Sequence, residues 1–226
     1  MSRRKTRDPV NQPNVAFAET RGAVSLGLLK SREWVSDPRR FLFSQSRYKF
    51  VAKMLAGRKH AIEVGCGDGF NAPIVMQEVE RLTITDFDPE FIGDAQAGML
   101  PEYPYRALVH DFMDGPLEGD FDAAYLLDVL EHIPAADEQR FLGNVARSLT
   151  VDAVMIVGMP SLESQVHASP GSKAGHVNCK TAPDLKRVME VLFHSVFMFG
   201  MNDEVVHTGH NKMAHYLLAV CAHRRR

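Results

Sequence analysis

Cysteine is scarce in this 226-residue chain: three residues, Cys66, Cys179 and Cys221, scattered along it. Neither a disulfide framework nor a zinc-ligand spacing can be built from them, which makes a reducing cytoplasm the expected compartment. No apolar run is long enough to span a bilayer, and the polar start lacks the apolar stretch of a signal peptide. An excess of charge of one sign is missing too. The 26 basic and 28 acidic residues leave a net −2, so no general attraction to nucleic acid or to an anionic membrane is built in. The basic ends, Arg3-Arg4-Lys5 and Arg224-Arg225-Arg226, read as solvated tails. Internal repeats are absent, as is any linker that would divide two domains. What remains, with 45% apolar and 24% charged residues, is ordinary for a globular domain with a sizeable core.

One stretch carries the chemistry. Ala61-Ile62-Glu63-Val64 is an apolar run of strand length, and it breaks into Gly65-Cys66-Gly67-Asp68-Gly69. Alternate glycines at a strand-to-helix turn allow sharp bending and close approach of a ligand. The dinucleotide fingerprint needs a third glycine where Phe70 stands, and a phosphate-binding loop needs Gly-Lys-Ser/Thr; neither is present. Glu63, two residues before the first glycine, suits a cation better than a pyrophosphate.

The sequence Glu-Val-Gly-Cys-Gly-Asp-Gly resembles the first motif of class I S-adenosylmethionine-dependent methyltransferases, and the rest of the chain continues the likeness in order. Leu82 to Thr85 is a second strand ending in Asp86-Phe87-Asp88-Pro89, at the distance a βαβ unit requires. A carboxylate at Asp86 can accept both hydroxyls of a ribose, while Asp88 is the better cap for the helix at Pro89. After a third strand, 107–110, the resemblance implies that Asp111 holds the adenine amino group, with Phe112 against the ring. A fourth strand, 121–127, leads into Asp128-Val129-Leu130-Glu131-His132, similar to the Asp-x-Leu-Glu-His sequence of small-molecule methyltransferases. The signatures of nucleic-acid methyltransferases, Asn/Asp-Pro-Pro-Tyr/Phe and Pro-Cys, are absent, which argues against DNA or RNA as acceptor.

The resemblance implies a three-layer α/β/α Rossmann-like fold with a seven-stranded mixed sheet and an antiparallel edge strand. Residues 1–56 are expected to form a tail and helical cap, with a helix from Asp37-Pro38 to Gly57 burying Phe43, Phe50, Val51, Met54 and Leu55. Arg47, Tyr48 and Lys49 on it read as surface residues that a cofactor or substrate could also reach. Residues 57–226 form the methyltransferase domain, with a lid-like insertion near 159–181. Expected contacts to S-adenosylmethionine are Glu63, Gly65, Cys66, Gly67, Asp86, Phe87, Asp111, Phe112, Asp128 and Val129. His132 is the first choice as general base for a hydroxyl acceptor, with His176 and His207, and after them His210, on loops that could close over it. Asp203, Glu204, His207 and His210 invite a metal reading. However, His-x-x-His beside Gly209 fits no helical ligand pair, and no metal is entered. The expected activity is methyl transfer to a small polar acceptor such as a sugar or nucleotide-sugar hydroxyl. An N-methyltransferase, a quinone-type C- or O-methyltransferase and a non-catalytic cofactor-binding protein are the alternatives.

Overall fold

A computed structural model describes residues 4–225; Arg3 and Arg226, and with them part of the two basic ends, lie outside the described residues. Eight strands form one sheet in the order β3-β2-β1-β4-β5-β8-β6-β7. The strands are β1 (Ala61–Val64), β2 (Leu82–Asp86), β3 (Arg106–Val109), β4 (Phe121–Leu127), β5 (Leu149–Pro160), β6 (Phe193–Asn202), β7 (Val205–His207) and β8 (Tyr216–Arg224). β1 to β5 are parallel, and β8 pairs antiparallel with both β5 and β6. The expected count was seven. The eighth strand is β7, three residues that pair antiparallel with Gly200–Asn202 in the polar run read as a loop.

The described residues also form eight α-helices: α1 (Gln12–Arg21), α2 (Gly27–Ser36), α3 (Pro38–Met54), α4 (Ala72–Met76), α5 (Pro89–Gly98), α6 (Glu138–Arg147), α7 (Pro170–Gly175) and α8 (Ala182–Glu190). Strand alternation splits the core in two. Ile62, Val64, Ala124 and Leu126 pack with Phe141, Leu142 and Leu185 from α6 and α8. Ala61, Tyr125 and Leu127 face Tyr48 and Val51 of α3 and Val75 of α4. Each large apolar side chain so buried contributes roughly 1.5–3 kcal/mol, which holds both helical layers on one sheet. No helix among the described residues is long and apolar enough to cross a membrane.

The order of the parallel strands fixes where a ligand can sit. β2 and β3 lie to one side of β1, β4 and β5 to the other. The chain therefore reverses direction across the sheet between β1 and β4, and their carboxyl ends open a crevice there. The turn 65–69 and the segment 128–132 are the two lips of that crevice.

Candidate active site

The glycine turn is tightly built. Gly65 and Gly67 have φ of 75° and 53°, in the left-handed region. A Cβ on Gly65 would stand 2.4 Å from Val129 Cγ2, and one on Gly67 would stand 2.6 Å from Leu29 Cδ1. Its amides are turned inward. Gly65 and Cys66 N–H both donate to the Thr85 carbonyl (2.8 and 2.9 Å), Gly67 N–H donates to Asp86 Oδ2 (3.0 Å), and Gly69 N–H to the Cys66 carbonyl (3.1 Å). A phosphate cradle points such amides at its ligand; here they knit β1 to β2. Acidic side chains, Asp68, Asp86 and Asp128, stand around the turn instead. This donor set fits a ligand with hydroxyls and positive charge, not a pyrophosphate.

Asp86 is nearly buried at the end of β2, and its second oxygen accepts the Asp88 N–H at 3.0 Å. Each oxygen keeps one lone-pair direction for a ligand. Asp88 caps α5 through Glu90 N–H, as its place before Pro89 predicts. Phe87 is 71% exposed beside the crevice. Asp111 Oδ1 accepts Met113 N–H at 2.7 Å at the end of β3. Phe112 is placed differently from expectation. Its ring is 2% exposed and packs edge-on against His110 and Phe141, and its carbonyl accepts from Asn144, so it supports the crevice from within the core.

Glu63 also turns away. Strand alternation points it at α3, where Tyr48 O–H donates to Oε1 (2.5 Å) and Tyr125 O–H to Oε2 (2.8 Å). Burial pushes its carboxyl up to about 7, against the opposing pull of the two hydroxyls. Cys66 is buried with its thiol turned to the Gly67 carbonyl, and burial, with Glu63 nearby, raises its pKa. Arg47, read as a surface residue, is buried: its Nη1 lies 2.7 Å from Asp128 Oδ2, and its guanidinium stacks 3.7 Å from the Tyr216 ring centroid. The buried face of α3 is thus Ser44, Arg47, Tyr48, Val51 and Ala52, while Met54, expected inside, is exposed. The signal was available. Two residues of α3 with polar heads and large bodies lie one and two turns before the deeply buried Val51 and Leu55.

On the other lip Asp128 has φ 58°, a left-handed conformation in a non-glycine residue, the kind of strain that clusters at functional sites. Asp128 N–H donates to the Gly158 carbonyl (3.0 Å), and Val129 closes over Gly65. His132 is exposed, and its Nδ1–H donates to the Gly175 carbonyl at 2.9 Å. The insertion after β5 brings His176 to it: the two rings are edge to face with centroids 5.3 Å apart. His176 Nδ1–H donates to Gln165 Oε1 (3.0 Å), and burial together with His132 holds its pKa below the usual value. Between them Glu131 is fully buried, and burial, then Asp128, raises its carboxyl well above the usual range.

His207 does not join this group. Its Nδ1 accepts the Gly209 N–H (3.0 Å) and its Nε2–H donates to Asn202 (2.7 Å), so both nitrogens are committed to the β6–β7 hairpin. It also lies four strands from β4. His210 is exposed on the same hairpin side. Asp203, Glu204, His207 and His210 form no ligand cluster among the described residues, whereas Glu131, His132 and His176 do.

Comparison with known proteins finds a methyltransferase domain within this architecture. A family model described as a methyltransferase domain matches residues 61–152, from the start of β1 into β5. Residues 61–152 thus carry a methyltransferase domain. A curated relative of Mycolicibacterium smegmatis, named "Probable S-adenosylmethionine-dependent methyltransferase", is 26% identical over 166 residues. The match covers 73% of this chain and 58% of that protein's length. Among solved structures, the N-methyltransferase NodS of Bradyrhizobium japonicum, in complex with S-adenosyl-L-homocysteine, superposes with a TM-score of 0.61 at 16% identity, over 84% of this chain and 90% of that one. An S-adenosylmethionine-dependent methyltransferase of Thermotoga maritima gives 0.64 at 16% identity, over 85% and 93%. At such identities the likeness is one of fold, and the methyltransferase domain here is the α/β Rossmann-like kind with its crevice between β1 and β4.

Proposed function

We propose that the chain binds S-adenosylmethionine in the crevice between β1 and β4 and methylates the hydroxyl of a small polar acceptor, such as a sugar or nucleotide sugar. The observation that carries this reading is the pairing of the inward-turned glycine turn, ringed by acidic groups, with a histidine pair across the same crevice. Asp86 would take the ribose hydroxyls, Asp111 and Phe87 the adenine, and Gly65, Cys66, Gly67, Asp128 and Val129 the amino-acid end. Phe112 and Glu63 support that surface from behind. The cofactor supplies an electrophilic methyl group whose sulfur leaves as a neutral thioether.

The chain's own part is to hold the acceptor in line, exclude water and move a proton. A hydroxyl must lose its proton as it is methylated, and this is what the His132–His176 pair can promote. Each ring donates through Nδ1 to a fixed acceptor, which leaves Nε2 with its lone pair. General bases of this kind contribute about 10²–10⁴-fold. The insertion at 159–181 places Leu162, Gln165 and Val166 beside His176 around an open hollow of about 510 Å³, of a size for a small acceptor. A screen of radiolabelled methyl transfer to sugars, nucleotide sugars, amines and quinols tests this. Methylation of a hydroxyl acceptor is the expected result, and transfer confined to amines would overturn the acceptor assignment.

A further inference from the structure

Three observations converge on the segment that follows β4. Glu131 is fully buried, yet neither carboxylate oxygen has a hydrogen-bond partner among the described residues. Burying an oxygen pair in this state is unfavourable unless something else satisfies it. One oxygen of Glu131 and one ring nitrogen each of His132 and His176 lie within 4.8 Å of one another. Finally, both imidazoles are oriented by an acceptor on Nδ1, Gly175 O for one and Gln165 Oε1 for the other. That is the arrangement by which proteins fix a histidine that offers Nε2 to a metal.

We infer that Glu131, His132 and His176 hold a divalent transition-metal ion, with Zn²⁺ or Mn²⁺ the fitting class. Two imidazoles and one carboxylate suit such ions, whereas Mg²⁺ and Ca²⁺ prefer oxygen. Tetrahedral ligands bound to one ion at about 2.0–2.2 Å are roughly 3.3–3.6 Å apart, so donors within 4.8 Å of one another need close by at most about 1.5 Å. The two nearby arginines are paired elsewhere, Arg47 with Asp128 at 2.7 Å and Arg40 with Glu33 at 3.3 Å. The insertion is tied down at the same place: Val177 and Asn178 N–H both donate to the Glu131 carbonyl (2.8 and 3.0 Å), which keeps His176 in register with the segment. Three protein ligands leave positions open, as in catalytic rather than structural sites.

The ion site stands on these residues alone; its use in catalysis rests on the proposed function. A hydroxyl bound to the ion ionises more readily and releases its proton to solvent. With Nε2 on the ion the two rings would act as ligands in place of the general-base role proposed above, and the ion would supply the activation.

The test is calorimetric titration of the chelator-treated full chain with Zn²⁺ and with Mn²⁺, beside a separate titration with S-adenosylhomocysteine. One ion per chain is expected. Glu131→Gln and His176→Ala should each lower ion affinity at least about tenfold while leaving the circular dichroism spectrum and S-adenosylhomocysteine affinity unchanged. His207→Ala should bind the ion like the wild type. His176→Ala, on the surface insertion, keeps the test open if Glu131→Gln fails to fold. Equal ion affinity in wild type and His176→Ala, or no binding of either ion by a folded chain, would overturn the site. Ion binding without S-adenosylhomocysteine binding would retain the site and remove the methyltransferase reading.

Discussion

Glu63 illustrates what a single position in a strand decides. Next to a glycine turn it reads as a ligand group, but the two-residue alternation of β1 sends it to the α3 side, under Tyr48 and Tyr125. Its carboxyl rises from 4.5 to about 7 through burial. The folded state then binds the extra proton between those values, and stability contributed by this group falls as pH rises from about 4.5 to 7. The loss is on the order of 3 kcal/mol. Glu63→Gln keeps hydrogen-bonding partners for both tyrosines and removes the titration. Its melting temperature relative to wild type should increase steadily from pH 5 to pH 8. A constant difference over that range would show that Glu63 does not titrate there. Asp86 differs in place: it is a buried carboxylate at the carboxyl end of β2, against the glycine turn whose Gly67 N–H it accepts. Asp86→Ala should weaken S-adenosylhomocysteine binding at least about tenfold in a chain that still folds, since hydrogen bonds to a charged group contribute roughly 1.5–3 kcal/mol each. Unchanged affinity by calorimetry would move the ribose contact elsewhere.

At the scale of elements, α2 is held to the glycine turn by carboxylates at its first amides. Asp94 accepts Leu28 N–H (2.7 Å) and Asp68 accepts Lys30 N–H (2.8 Å), while Leu29 sits against Gly67. Few apolar contacts back this up, as α2 has no fully buried residue. Asp68→Ala should therefore loosen α2 selectively, seen as faster hydrogen exchange by about tenfold or more across residues 27–36, with β1 and β4 unaffected. Unchanged protection would mean that Leu29 and the edge-on packing of Trp34 against Phe41 of α3, ring centroids 5.3 Å apart, suffice. How far elements were legible follows from the same balance. β4, an apolar run but for Asp122 and bounded by turns, is legible with its true ends. α1 and α2 were not, because they bury little and leave no apolar periodicity. α3 misled through its polar inner face: Arg47 and Tyr48 share the helical face of Val51 and Leu55, but the partners that take them inside, Asp128 and Glu63, are distant in sequence.

Across the whole molecule, the reversal of strand order between β1 and β4 gathers the site, and this was readable from the glycine turn and the alternation of strands and helices. The reach of the insertion was not. Its place after β5 could be foreseen, but the meeting of His176 with His132 over Glu131 is a long-range contact that spacing does not encode. The polar run before β8 showed the converse, with His207 spent on pinning an eighth strand. His132→Ala should keep S-adenosylhomocysteine affinity and lose turnover of a hydroxyl acceptor by about 10²–10⁴-fold, while His207→Ala should retain it. Normal turnover by a folded His132→Ala chain would place the acceptor away from this pair.

The measurement closest to the centre is calorimetry of the purified chain with S-adenosylhomocysteine and, separately, with NAD. The inward-turned amides of residues 65–69 and the acidic groups around them predict one S-adenosylhomocysteine bound per chain and no comparable affinity for NAD. Tight NAD binding with no binding of S-adenosylhomocysteine would contradict the assignment of this crevice.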